Sequence, residues 1–251
     1  MKKYITTGLI VILLSTTGYL LYDKFSKGKP IQPVIASVES KEATPSSTTD
    51  IVKETREEKP VRPDEEIRKR LFELTDEQIQ AAIDRGKIDT KKYTEFENAF
   101  ELPTITNKLS KIYLPRGVKI ATPTYLVTAS SFLNNATYKP YSIADAKHSI
   151  DSDNKLLVFV LNIFGDSLTF PKDANIVMKQ GDTIIQSSNI IGKNNSGNVT
   201  EHFPNSPVYQ AMIMPCFPQD QIDFSKEATL IYMFPDKDHA VHYKIDFSKY
   251  Q

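Results

Sequence analysis

Apolar residues in this chain fall into two patterns, and the change from one to the other near residue 103 divides it. The run at 156–164, LLVFVLNIF, is interrupted only by Asn162. Asn154 and Lys155 precede it and Gly165-Asp166 close it. A short apolar run between turn residues, with Val158, Val160 and Ile163 inside, predicts a strand buried on both faces. Leu157, Phe159, Leu161 and Ile163 would line one face, and Leu156, Val158, Val160 and Phe164 the other. Val118-Lys119-Ile120-Ala121 and Tyr125-Leu126-Val127-Thr128-Ala129 are predicted as strands about Thr122-Pro123, with Pro123 at a strand start, edge or bulge because it cannot donate to a ladder. Ile176-Val177-Met178 and Thr183-Ile184-Ile185 flank Gln180-Gly181-Asp182, a hairpin signal. Residues 208–214, 228–234 and 240–247 supply further strands, 194–198 a loop, and 142–150 a brief helix capped by Ser142. About seven strands joined by turns predict a mainly β domain over 103–251, an antiparallel, sandwich-like body.

Before residue 103 the spacing is helical. Pro63 followed by Asp64-Glu65-Glu66 is a good first turn, with acids at the positive end of the helix dipole. Ile67, Leu71 and Leu74 share one face. Thr75-Asp76-Glu77-Gln78 matches a capping box. Ile79, Ala82 and Ile83 extend the stripe to Gly86, which is expected at a left-handed C-terminal cap. A third helix is predicted over 90–100, with Tyr93, Phe96 and Phe100 on one side, ended by Pro103. These helices are too short to stand alone, so the stripe of the 63–102 neck is expected to pack on the β domain and to cover the second face of 156–164. A partner-binding neck is the alternative.

At the N-terminus, Met1-Lys2-Lys3 precedes an uncharged run over 4–22, long enough to cross a bilayer. Lys24, Lys27 and Lys29 follow it, and no small-x-small site replaces Leu20-Leu21-Tyr22. This predicts a transmembrane signal-anchor over 1–28, with a cleaved signal as the alternative. The lysines on the two sides nearly balance, and the small basic head favours a cytoplasmic N-terminus and an extracytoplasmic body. Residues 29–62, punctuated by Pro30, Pro33, Pro45 and Pro60, have the composition of a disordered tether.

The chain has 251 residues, 25% charged and 40% hydrophobic, with zero formal net charge. No global field favours nucleic acid, and none is expected as a partner. A single cysteine, Cys216, excludes an intrachain disulfide.

The helical segment Thr75-Asp76-Glu77-Gln78-Ile79-Gln80-Ala81-Ala82-Ile83-Asp84-Arg85-Gly86, then Thr122-Pro123-Thr124-Tyr125, Phe164-Gly165-Asp166 and Lys179-Gln180-Gly181, resembles an uncharacterised family of bacterial exported or envelope-anchored proteins. The resemblance spans roughly residues 74–247 and implies a helical segment followed by a β-rich domain. It carries no catalytic residue. This chain departs from it in having no lipobox cysteine, which leaves a peptide anchor.

Reactive constellations are sparse. Asp236-Lys237-Asp238-His239-Ala240-Val241-His242 is the densest polar cluster, but His239 and His242 would point to opposite faces of a strand, and a hairpin turn explains it as well as a metal site. Cys216 has only His202 near it in sequence and is expected to be a buried thiol. Asp151, Asp153 and Asn154 lack the glycine and glutamate of a calcium loop. No nucleophile elbow or phosphate loop is present. No catalytic, metal or cofactor residue is assigned.

These features predict a membrane-tethered envelope protein, a non-catalytic binding or structural module. Its partners would be the membrane, through residues 4–22, and an envelope protein or peptide. Contact would run through sheet edges or the loops at 134–141 and 192–206. The alternatives are an envelope hydrolase or metal-dependent enzyme, and a periplasmic assembly or stress factor.

Overall fold

A computed structural model describes residues 63–107, 113–151, 155–234 and 239–250. The predicted anchor and tether, Asp153-Asn154 and residues 236–238 lie outside these. No helix among the described residues is long and apolar enough to cross a membrane.

Three short helices open the body: α1 (Pro63–Phe72), α2 (Asp76–Arg85) and α3 (Thr90–Asn98). The capping box forms as expected, with Thr75 Oγ1 accepting from Gln78 N and Gln78 Oε1 from Thr75 N. After β1 (Thr104–Asn107) and β2 (Arg116–Ala121) come two more helices, α4 (Pro123–Ala136) and α5 (Ile143–Asp151). Strands β3 (Leu156–Gly165), β4 (Asn175–Gln180), β5 (Thr183–Gln186), β6 (Asn189–Ile191), β7 (Asn198–Val199), β8 (Tyr209–Pro218), β9 (Ala228–Met233) and β10 (Ala240–Ile245) complete the body.

The strands form two antiparallel sheets. One is ordered β1-β10-β9-β4-β5, the other β2-β3-β8-β6 with β7 also on β8. One hydrophobic core draws on both, from Phe159, Ile213 and Phe217 to Ile176, Leu230 and Tyr243. With helices rivalling strands in extent, the description "mainly β" gives way to two antiparallel sheets plus a substantial helical part.

The predicted strand at 125–129 is a helix. Thr122 is its N-cap, Oγ1 accepting from Tyr125 N at 3.3 Å, and Pro123 occupies the first turn. Proline is at home there because its missing N–H has no intrahelical partner in any case. Buried Tyr125, Thr128 and Phe132 then recur at spacings of three and four, outweighing the strand preference of Val127 and Thr128.

That helix changes what the neck packs on. Ile79, Ala82 and Ile83 of α2 form a second core with Val127 of α4 and Ala146 of α5, and Leu74 packs against it. Only the α1 end of the stripe, Leu71 with Ile67, joins the main core. The expected cover of strand 156–164 by one continuous stripe therefore does not form.

Strand β3 is asymmetric as a result. Leu157, Phe159, Leu161 and Ile163 are fully buried, aligned with Phe217, Ile120, Ile213 and Ala211 on neighbouring strands. On the opposite face Val158 and Phe164 are buried, but Leu156, Val160 and Asn162 are only half-buried.

Gly86 is also not left-handed. Its φ of −70° and ψ of −11° are helical. Glycine is required because α4 passes so close that a Cβ would lie 2.5 Å from Ser131 Cβ and 2.7 Å from Phe132 N. The Ser131 hydroxyl uses the same approach to donate to Ile83 O at 2.7 Å. Gly181, by contrast, has φ +58° in the two-residue turn between Gln180 and Thr183, the hairpin its glycine announced.

Beyond α3 the chain lies along the outer edge of β2. Leu102 N donates to Val118 O at 2.7 Å, and Ile120 N to Phe100 O at 3.1 Å.

Candidate interaction surface

The loops at one end of the body form its best-braced irregular region. β3 ends at Gly165, where a Cβ would meet the Phe170 ring at 2.5 Å, so glycine lets the chain turn sharply against that ring. Asp166 follows and joins three segments. Its Oδ1 accepts from Val208 N at 3.1 Å, its Oδ2 from the Tyr113 hydroxyl, and Ser206 adds a further hydrogen bond. Burial alone would raise this carboxyl, but these donors together hold it below the ordinary aspartate range.

The loop after β6 is anchored just as locally. Gly197 N donates to Leu168 O at 2.8 Å, tying the two loops together. A Cβ on Gly197 would come within 2.9 Å of Tyr209 Cβ. Buried Thr200 donates through its hydroxyl to Pro207 O, and that same hydroxyl accepts from His202 N at 3.1 Å. The Phe203–Pro204 and Ser206–Pro207 peptide bonds are cis.

This bracing presents apolar side chains to solvent. Leu168, Val199 and Phe203 are 47%, 59% and 58% exposed; Leu168 and Phe203 ride on these two loops and Val199 on the short strand β7 within the second. The loop at 192–206 was an expected contact surface; Leu168 was not, because a single leucine in a polar segment gives no periodic signal. The other expected loop, 134–141, is shorter than its sequence suggests. α4 runs to Ala136 and Asn134 is buried, leaving Tyr138 fully exposed at φ 56°.

A second polar constellation lies between the helices and β2. Glu97 Oε1 accepts from Tyr125 OH at 3.0 Å and Tyr93 OH at 3.4 Å, and lies 3.2 Å from Lys119 Nζ. The Tyr93 ring stacks on Phe132 with centroids 3.8 Å apart. Burial first, and the nearby Glu97 charge second, push both tyrosines above their ordinary range. They are donors here rather than bases or nucleophiles, and the group ties α3 and α4 to β2. Its members lie on three separate elements, which is why no local motif announced it.

Among the described residues, the remaining expected positions do not converge. Cys216 is buried near the C-terminal end of β8 opposite Val158, whereas His202 belongs to the loop before the other end of that strand. His242, on β10, pairs with Ile231 of β9, and His239 precedes β10. Among the described residues no three His, Cys, Asp or Glu side chains are grouped to hold a metal. A shallow groove of about 170 Å³ beside Glu101 and Tyr250 is lined by lysines already paired, Lys244 with Glu227 at 2.6 Å and Lys249 with Asp246 at 3.5 Å.

Comparison with family models, curated proteins and solved structures gave no match.

Proposed function

We propose that this chain is a membrane-tethered envelope protein whose sandwich-like body lies outside the cytoplasmic membrane and acts as a non-catalytic binding or structural module. The carrying observation is the loop surface. Of the six large hydrophobic side chains most exposed among the described residues, three sit on the loop after β3 and on the segment between β6 and β8, which includes β7, both braced by Asp166, Thr200 and Gly197. Loops already fixed by hydrogen bonds lose little backbone entropy on contact, which favours binding. The uncharged run at 4–22 supports the membrane attachment, and the basic head before it the orientation.

Single cysteines in whole cells test both parts, since Cys216 is buried and contributes little background. Asn205→Cys, beside Phe203, and Ile184→Cys chains are treated with a bulky, membrane-impermeant maleimide. Labelling of Ile184→Cys in intact cells with slower labelling of Asn205→Cys is the expected result. Labelling only after lysis overturns the orientation, and equal rates overturn the contact surface.

A further inference from the structure

The chain enters its folded body at the end opposite the apolar loops. Phe72 of α1 packs edge-on against Phe224, with centroids 5.5 Å apart. The segment holding Phe224 is fastened to the β4–β5 hairpin, because Gln180 Nε2 donates to Asp223 O at 2.8 Å and Asp223 N to Gln180 Oε1 at 2.9 Å. Gln180 is the last residue of β4, whose first residue, Asn175, is separated by Ala174 alone from the Phe170–Asp173 turn beside Gly165. Pro63 and Phe203 thus belong to opposite ends of the strands.

Two magnitudes choose the occupant of the loop surface. Leu168, Val199 and Phe203 are three residues, each about half exposed, well short of the roughly 800 Å² and about 20–30 residues that each partner contributes to a stable protein interface. A freely diffusing protein would find too little there. A surface tethered to the same chain needs far less, because its binding is intramolecular. Local charge is close to balanced: the loops and the turn between them carry Lys172 and Lys193 against Asp166, Asp173 and Glu201, and Arg116 lies over the Phe164 ring at the same end of β3.

We infer that Leu168, Val199 and Phe203 insert into the interfacial layer of the bilayer that anchors the chain, so that the body rests with its chain-entry end facing away from the membrane. The inference depends on the tethered reading above. Covalent geometry permits it: residues 23–62 reach at most about 140 Å, and a ten-residue strand such as β3 spans only about 33 Å.

Full-length chain reconstituted into neutral phosphatidylcholine vesicles tests this, with an environment-sensitive dye on Asn205→Cys, beside the patch, or on Ile184→Cys, at the far end. Spin-labelled lipid is expected to quench the dye at 205 at least threefold more than at 184. Serine at 168, 199 and 203 should abolish that difference while leaving the thermal midpoint of unfolding unchanged. If the triple variant does not fold, Phe203→Ser alone should cut the difference at least by half. Equal quenching at the two positions, or a difference indifferent to the serines, overturns lipid docking; so does quenching seen only with phosphatidylglycerol, which would mark attraction by charge. Shielding of position 205 in cells without quenching in vesicles would overturn it in favour of a protein. Failure of the chain to float with vesicles would overturn the tether itself.

Discussion

Gly86 shows how one atom can fix the distance between two helices. Alanine there would relieve backbone entropy in a helical conformation, a gain of up to about 1 kcal/mol. Its Cβ would also sit 2.5 Å from Ser131 Cβ and 2.7 Å from a backbone nitrogen that cannot step aside. Overpacking of this kind costs about 1–3 kcal/mol, so Gly86→Ala is expected to lower the urea midpoint of unfolding. Glu97 governs a comparable junction through charge. Its replacement by alanine strands Lys119 and two tyrosine hydroxyls in a site where the paired side chains are only 18% and 15% exposed. A loss of about 2–3 kcal/mol is expected, below the 3–5 typical of a fully buried pair. Glu97→Gln, which keeps an acceptor, should lose less. A double-mutant cycle with Lys119→Met measures the coupling.

Among the elements, β3 separates what local pattern can show from what it cannot. Its existence and its ends followed from an apolar run between turn residues, as the α2 cap followed from Thr75 and Gln78, because both signals lie within a few residues. The faces did not follow. Covering both requires knowing where α2 goes, and that depends on α4, whose Val127 and Thr128 favour a strand while Thr122-Pro123 starts a helix. The Glu97 junction was hidden for the same reason, its partners being far apart in sequence. At the loop surface, 192–206 was legible through its Asn, Ser and Gly residues, whereas the role of Asp166 in bracing it rests on Tyr113 and Val208, both distant in sequence. The asymmetry of β3 can be tested directly. Phe159→Ala should cost about 3–5 kcal/mol, and Val160→Ala, half-buried on the other face, about 1 kcal/mol. Equal losses in denaturant titrations would mean that both faces are closed.

For the whole molecule, ionisation should limit stability at both ends of the pH scale. Hydrogen bonds hold several carboxyls below the ordinary value near 3.9: Asp223 through Lys226 and then Ser225, Asp246 through Ser248, and Asp166 against an opposing effect of burial. A lowered folded pKa stabilises above the unfolded value, and that contribution disappears as pH falls through the folded one. These groups are largely exposed, so each contribution is small. Burial raises Tyr93, Tyr125, Tyr232 and Tyr243, whose contribution is complete below their unfolded value near 10 and is lost as pH climbs beyond it. The melting temperature should therefore be level from roughly pH 5 to 9 and fall on either side. On the alkaline side, tyrosinate absorbance should rise together with unfolding.

The contact of residues 100–102 with β2 closes one edge at which a second copy of this chain could pair. An uncovered edge strand is a template for pairing with another molecule. Here the chain leaving the helices fills that place, satisfying the backbone of β2 before any neighbour can. The helical segment is thus a guard against polymerisation as well as a packing layer. A fragment beginning at Pro103 would keep every strand and still lose the guard. It is expected to accumulate as oligomers in light scattering at concentrations where a chain beginning at Pro63 stays dispersed.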